Sequence, residues 1–116
     1  MSRAQAAQGG STGGIPANHL RGEAAIMVGG QARVLRPTFA ALIAAEEELG
    51  PLFALVERAG EGRLALAEIA ALFWHCLAER GTLTRESVGD AVLAEGLAAS
   101  AKPLRILLGQ ILQGRG

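Results

Sequence analysis

The stretch from Gly22 to Gly50, GEAAIMVGGQARVLRPTFAALIAAEEELG, constrains the fold of this chain more than any other. Two extended runs flank Gly29-Gly30, and Pro37 then launches an alanine-rich helix. Glycine reaches positive φ at little cost, so a Gly-Gly pair between apolar runs predicts a two-residue primed turn and a β-hairpin. Such a turn sets the register: Val28 opposite Gln31, Ile26 opposite Arg33 and Ala24 opposite Leu35 share one face. Ala25, Met27, Ala32 and Val34 share the other, and Glu23 lies opposite Arg36 beyond them. Both faces are substantially apolar, and a lone two-stranded ribbon is marginal in water. The hairpin must therefore pack on helices of its own domain, pair edge to edge with another chain, or do both.

The rest of the chain reads as helix. Thr38 can accept an orphan backbone N–H and so cap the first helix, which Gly50-Pro51 ends. Phe39, Leu42, Ile43 and Leu49 fall on one stripe, with Phe39 and Leu42 expected in the core; Glu46 falls inside the same stripe. A carboxylate there must be paired or reach solvent at the helix end, and Arg36 and Arg63 are the candidate partners. A short helix from Pro51 to about Ala59 follows, with Pro51 at its first position, then a Gly60-Glu61-Gly62 loop. The most hydrophobic helix runs from Ala65 or Ala67 to Arg80, where Gly81 stops it. Ile69, Leu72, Phe73, Cys76 and Leu77 form one side and Ala67, Ala70, Ala71, Trp74 and Ala78 the other; a helix apolar nearly all round is central or shared with a partner. Thr84 caps a further helix up to Gly96, with Glu86 in its first turn.

After Lys102-Pro103 the chain closes with LRILLGQIL, where Leu104, Leu107, Leu108, Ile111 and Leu112 form an i, i+3, i+4, i+7, i+8 stripe widened by Ile106. That surface either closes the domain's own core or serves as a docking helix. Gly109 interrupts it, at a cost of up to about 1 kcal/mol relative to alanine. The expected architecture is α+β, mainly α: a hairpin followed by four or five short helices over residues 19–116. Residues 1–18 are low in complexity and poor in apolar side chains, as expected of a flexible tail.

Composition removes several function classes. Eleven basic residues balance eleven acidic ones, so no net field favours nucleic acid or an anionic membrane. Arg85, Lys102 and Arg105 are too scattered for a recognition helix. No apolar run is long enough for a signal peptide or a bilayer span, which points to a cytoplasmic protein. The single cysteine, Cys76, excludes an intrachain disulfide and a CxxC site. Adjacent His75 and Cys76 diverge by about 100° on a helix, which argues against a nucleophile–base pair; Cys76 reads as a buried hydrophobe. His75 falls near Glu68 and Glu79, the latter placed to pair with it. Glu46, Glu47 and Glu48 point in three directions and form no metal cluster. The glycine-rich start lacks the Lys-Ser/Thr pair of a phosphate loop. No catalytic, cofactor or metal site is expected, so function is expected to rest on protein contacts.

The order and spacing of several short segments resemble the tail-assembly proteins of gene transfer agents and related siphophages of alphaproteobacteria, a family of tail-assembly-chaperone type also described as tail tube proteins. The likeness runs through Asn18, Arg21-Gly22-Glu23, Val34-Leu35-Arg36, Thr38 to Leu42 and Glu46 to Gly50. It continues through Gly62-Arg63-Leu64, Leu83-Thr84, Val88-Gly89 and Ala94-Glu95-Gly96-Leu97. Gly29-Gly30 stands where many relatives carry Asp-Gly. The resemblance implies an assembly factor acting on the tape-measure protein and displaced by tail tube subunits, with Trp74, Leu104, Leu107, Leu108, Ile111 and Leu112 as candidate contact residues. The alternative it implies is a structural tail component that self-associates through its hairpin edges into rings or a tube.

Overall fold

The Gly29-Gly30 turn forms as its sequence dictates, with φ of 60° and 81°, and it joins β1 (Ala24–Val28) to β2 (Gln31–Leu35) in the expected register. The structure, a computed structural model, describes residues 23–114. The expected tail over residues 1–18, and the family-like positions Asn18, Arg21 and Gly22, lie outside the described residues. Five helices follow the hairpin among the described residues: α1 (Phe39–Leu49), α2 (Leu52–Gly60), α3 (Leu66–Cys76), α4 (Arg85–Glu95) and α5 (Leu97–Gln113). The architecture is α+β and mainly helical.

One face of the hairpin carries Ala24, Val28 and Leu35 into the core, where α4 and α5 cover β1. On the opposite face Ala25, Met27 and Ala32 are exposed, and only Val34 is buried. Beyond the strands Glu23, which is itself buried, pairs with Arg36 at 2.5 Å, as their opposed positions predict.

The helix α3 is central, with Ile69 to Phe73 and Cys76 buried against α1 on one side and α4 on the other. It ends at Cys76, not at Arg80 as its periodicity predicts. Leu77 turns extended and forms an antiparallel bridge with Leu35. The Arg36 N–H donates to the Cys76 carbonyl at 2.6 Å and the Ala78 N–H to the Val34 carbonyl at 3.0 Å. The outer edge of β2 offers the chain a ladder, and pairing with it outweighs four further residues of helical propensity.

Helix capping follows the sequence. The Thr38 hydroxyl accepts from Ala41 N–H, while Thr84 and Ser87 cap α4 reciprocally through Ser87 N–H to Thr84 Oγ1 and Thr84 N–H to Ser87 Oγ. Pro51 precedes the first residue of α2 and does not occupy it. Helix α5 begins at Leu97, well before Pro103, and passes through that buried proline. Burial of Pro103 on the side of the helix that faces β1 holds a residue that breaks solvent-exposed helices.

The expectation for α1 needs correcting. Its inward side centres on buried Ala45 with Leu42 and Leu49 beside it, leaving Phe39 82% and Ile43 40% exposed. The small alanine lets α1 sit close to α3, and that orientation turns the larger stripe outward. In α5, by contrast, Leu107 and Leu108 are core residues. Gly109 lies inside the same helix with nothing within 4 Å of the position a Cβ would take. Gly109→Ala is therefore expected to raise the unfolding free energy by about 0.5–1 kcal/mol, read from the urea midpoint at unchanged slope. A lower midpoint would show that the glycine is needed for close packing.

Candidate protein-interaction site

The two most exposed large apolar side chains, Phe39 and Phe53, stand on α1 and α2, and Leu112 is exposed on α5. On α1, Phe39, Ile43 and Glu46 stand at i, i+4 and i+7, so they line one side of the helix. That line leads to a groove of about 270 Å³ lined by Glu46, Pro51, Leu52, Phe53, Ile111 and Leu112. Phe53 is 76% and Leu112 51% exposed, so both rings and branches project at the rim and do not fill the groove. Glu46 accepts the Leu52 N–H at 3.1 Å, which explains a carboxylate on an otherwise apolar line: it caps α2 and reaches solvent at the end of α1. Neither Arg36 nor Arg63 is its partner; these pair with Glu23 and Glu61.

The six contact residues expected from the sequence fall into three environments. Leu107 and Leu108 are buried and unavailable to a partner. Leu104, Ile111 and Trp74 are partly buried against the core, and the Arg80 guanidinium lies 4.5 Å from the Trp74 ring centre. That cation–π contact covers the indole from its own chain. Ile111 and Leu112 are brought together in the α2/α5 groove, whereas Trp74 is not among its lining residues. Phe39, Ile43 and Phe53 were missed. The signal for Phe53 is present in the sequence, since it falls off the Leu52, Leu55, Val56 stripe, and a large apolar residue off the stripe faces outward.

Charged groups brace the frame that carries this surface. Glu48 of α1 accepts from His75 Nε2 of α3 at 2.8 Å and from Arg85 Nη1 of α4 at 2.5 Å. His75 thus pairs with Glu48, neither with Glu79 nor with Glu68. Glu68 accepts from Arg58 Nη1 of α2 and from the Ala65 N–H at the start of its own helix. Both carboxyls are held below their ordinary value: Glu48 chiefly by the hydrogen bond from Arg85 and then that from His75, Glu68 by the Ala65 N–H and then Arg58. Cys76 is 1% exposed, and burial pushes its thiol up to about 12. Among the described residues, no three His, Cys, Asp or Glu converge as metal ligands, and no helix is long and apolar enough to cross a membrane.

Two consequences are measurable. A carboxyl whose folded pKa lies below its unfolded value of about 4.5 adds stability above that pH and loses it as pH falls through the folded value. Glu48→Gln should cost no more than about 1 kcal/mol at pH 7, since the group is partly exposed, and the cost should shrink in acid as the pH falls from the unfolded value through the lower folded one. A loss equal at neutral pH and in acid would assign Glu48 a packing role only. The Cys76 thiol should react with an aromatic disulfide reagent only at the rate of unfolding, becoming fast in denaturant. Rapid native labelling would show that α3 opens locally.

Comparison with protein-family models matches residues 21–114 to the phage tail tube protein, GTA-gp10, family. No curated protein and no solved structure matches. The matched span takes in the hairpin, the five described helices and the whole exposed apolar surface, and the chain belongs to the phage tail tube protein, GTA-gp10, family.

Proposed function

We propose that the chain is a tail-assembly chaperone that binds the tape-measure protein and keeps it soluble until tail tube subunits replace it. The observation that carries this reading is the exposed line of Phe39, Ile43, Phe53 and Leu112 beside an apolar groove. Two phenylalanines more than three-quarters exposed have no role in the core of their own chain. They suit a long amphipathic helical client, whose apolar face would lie along α1 and into the α2/α5 groove. The action is by binding, not catalysis: shielding lowers the client's exposed apolar area, and many weak contacts let tube subunits displace the chaperone. Its place of action is the cytoplasm of the cell that builds the particles.

The family description favours a second reading, a structural subunit of the tube. The two-stranded sheet weighs against it, because a tube wall built of sheet needs more strands than this hairpin and the Leu77 bridge provide.

Co-expression with the tape-measure protein of the same particle, followed by pull-down and sizing, separates the two. A soluble complex is expected, with recovery falling about tenfold or more in Phe53→Asp/Leu112→Asp, since exposed aromatic and aliphatic anchors each contribute about 1–2 kcal/mol. Leu108→Asp is the contrasting control, as a charge in the core should unfold the domain. No complex, with the chain instead present in purified particles, would establish the structural reading.

A further inference from the structure

The outer faces of α4 and α5 carry opposite charge, two acids on one and two bases on the other. In α4, Val88, Ala91 and Val92 face the core, and Glu86, Asp90 and Leu93 lie on the other side, all exposed. In α5, Pro103, Leu107 and Leu108 face the core, and Ala98, Lys102 and Arg105 lie on the other side, again all exposed. Among the described residues, none of Glu86, Asp90, Lys102 and Arg105 enters an ion pair, although Arg36, Arg58, Arg63 and Arg85 each do.

The two rows also agree in length. Glu86, Asp90 and Leu93 span seven residue steps, as do Arg105, Lys102 and Ala98 taken in reverse, about 10.5 Å at 1.5 Å per step. Laid antiparallel, they place Glu86 against Arg105, Asp90 within one residue step of Lys102 and in reach of its long side chain, and Leu93, which is 57% exposed, over the small side chain of Ala98. The groove of about 570 Å³ beside α4 is lined by Leu66, Ala67, Glu86, Asp90, Leu93 and their neighbours, with no basic side chain among them. The two faces cannot meet within one chain, because α4 and α5 are joined only by Gly96 and both turn these residues away from a shared core.

We propose that these faces are the two halves of a contact between copies of this chain. The inference stands apart from the tape-measure reading, because it concerns a different face and needs no client. Since α4 of one copy meets α5 of another, the contact either closes reciprocally in a dimer or propagates head to tail into a ring or filament.

Sedimentation of the full chain over a concentration series tests it, with no tape-measure protein present. Association is expected in about 50 mM salt and should weaken several-fold in about 500 mM, as exposed charge pairs are screened. Glu86→Lys/Asp90→Lys and Lys102→Glu/Arg105→Glu should each weaken it about tenfold or more. The two variants mixed in equal amounts should associate again, because each then supplies the face the other has lost. The neutral pair Glu86→Gln/Asp90→Asn gives a milder loss and, with circular dichroism, keeps folding apart from association. A wild-type monomer near 1 mM in low salt, reversed variants that associate as the wild type does, or a mixture that stays dissociated would each overturn the proposal.

Discussion

The structure depends on the junction between the end of α3 and the outer edge of β2. A two-stranded hairpin has little stability of its own, and its apolar face must be covered while its edges are kept from other chains. Here Leu35 and Leu77 form a bridge flanked by backbone hydrogen bonds from Arg36 to Cys76 and from Ala78 to Val34. The most buried helix thus delivers the chain directly onto the strand whose side chains it packs against. Leu35, Leu72, Phe73 and Cys76 meet in one core as a result, and the thiol has no access to water. The same junction closes one of the two edges through which a hairpin-mediated ring would have to form.

Charge serves this frame more than it serves chemistry. Glu48 ties α1 to both α3 and α4, and Glu68 ties α3 to α2, so two carboxylates connect four of the five described helices. Exposed pairs of this kind add little stability individually, and the packing of α1 on α3 sets the angle between them. That angle decides which side of α1 is hidden. With Ala45 inward, Phe39 and Ile43 are necessarily outward, and the apolar line that leads to the α2/α5 groove exists because a small residue was chosen for the contact with α3.

Much of this was legible in the sequence where a local rule acts alone. The Gly29-Gly30 turn, the strand register, the Thr38 and Thr84 caps, the burial of Cys76 and the central place of α3 follow from turn chemistry, capping and apolar periodicity. The departures arise where tertiary contacts outvote local pattern. Leu77 leaves the helix because a strand edge stands beside it, and α5 runs through Pro103 because the core holds that turn. A stripe on α1 predicts an apolar face, but a pattern of side chains carries no information about which neighbour is present to cover it. The candidate site was legible only in part for the same reason: Leu112 and Ile111 were found by period, while Leu107 and Leu108 of the same stripe turned out to be the core side of it.

The division of α5 between its faces bears on how such a protein could work. Leu107 and Leu108 anchor the helix, Ile111 and Leu112 open onto the apolar groove, and Lys102 and Arg105 occupy the outer side nearer its start. Self-association through α4 and α5 would therefore leave the α1/α2 surface free, and successive copies would present a row of identical apolar grooves. A long helical client bound along such a row gains from effective concentration: each further contact costs less than the first, although each alone remains weak. Weakness per site is what replacement by another protein requires, because grooves can then be vacated one at a time. A single tight pocket would hold a client equally well and would not release it.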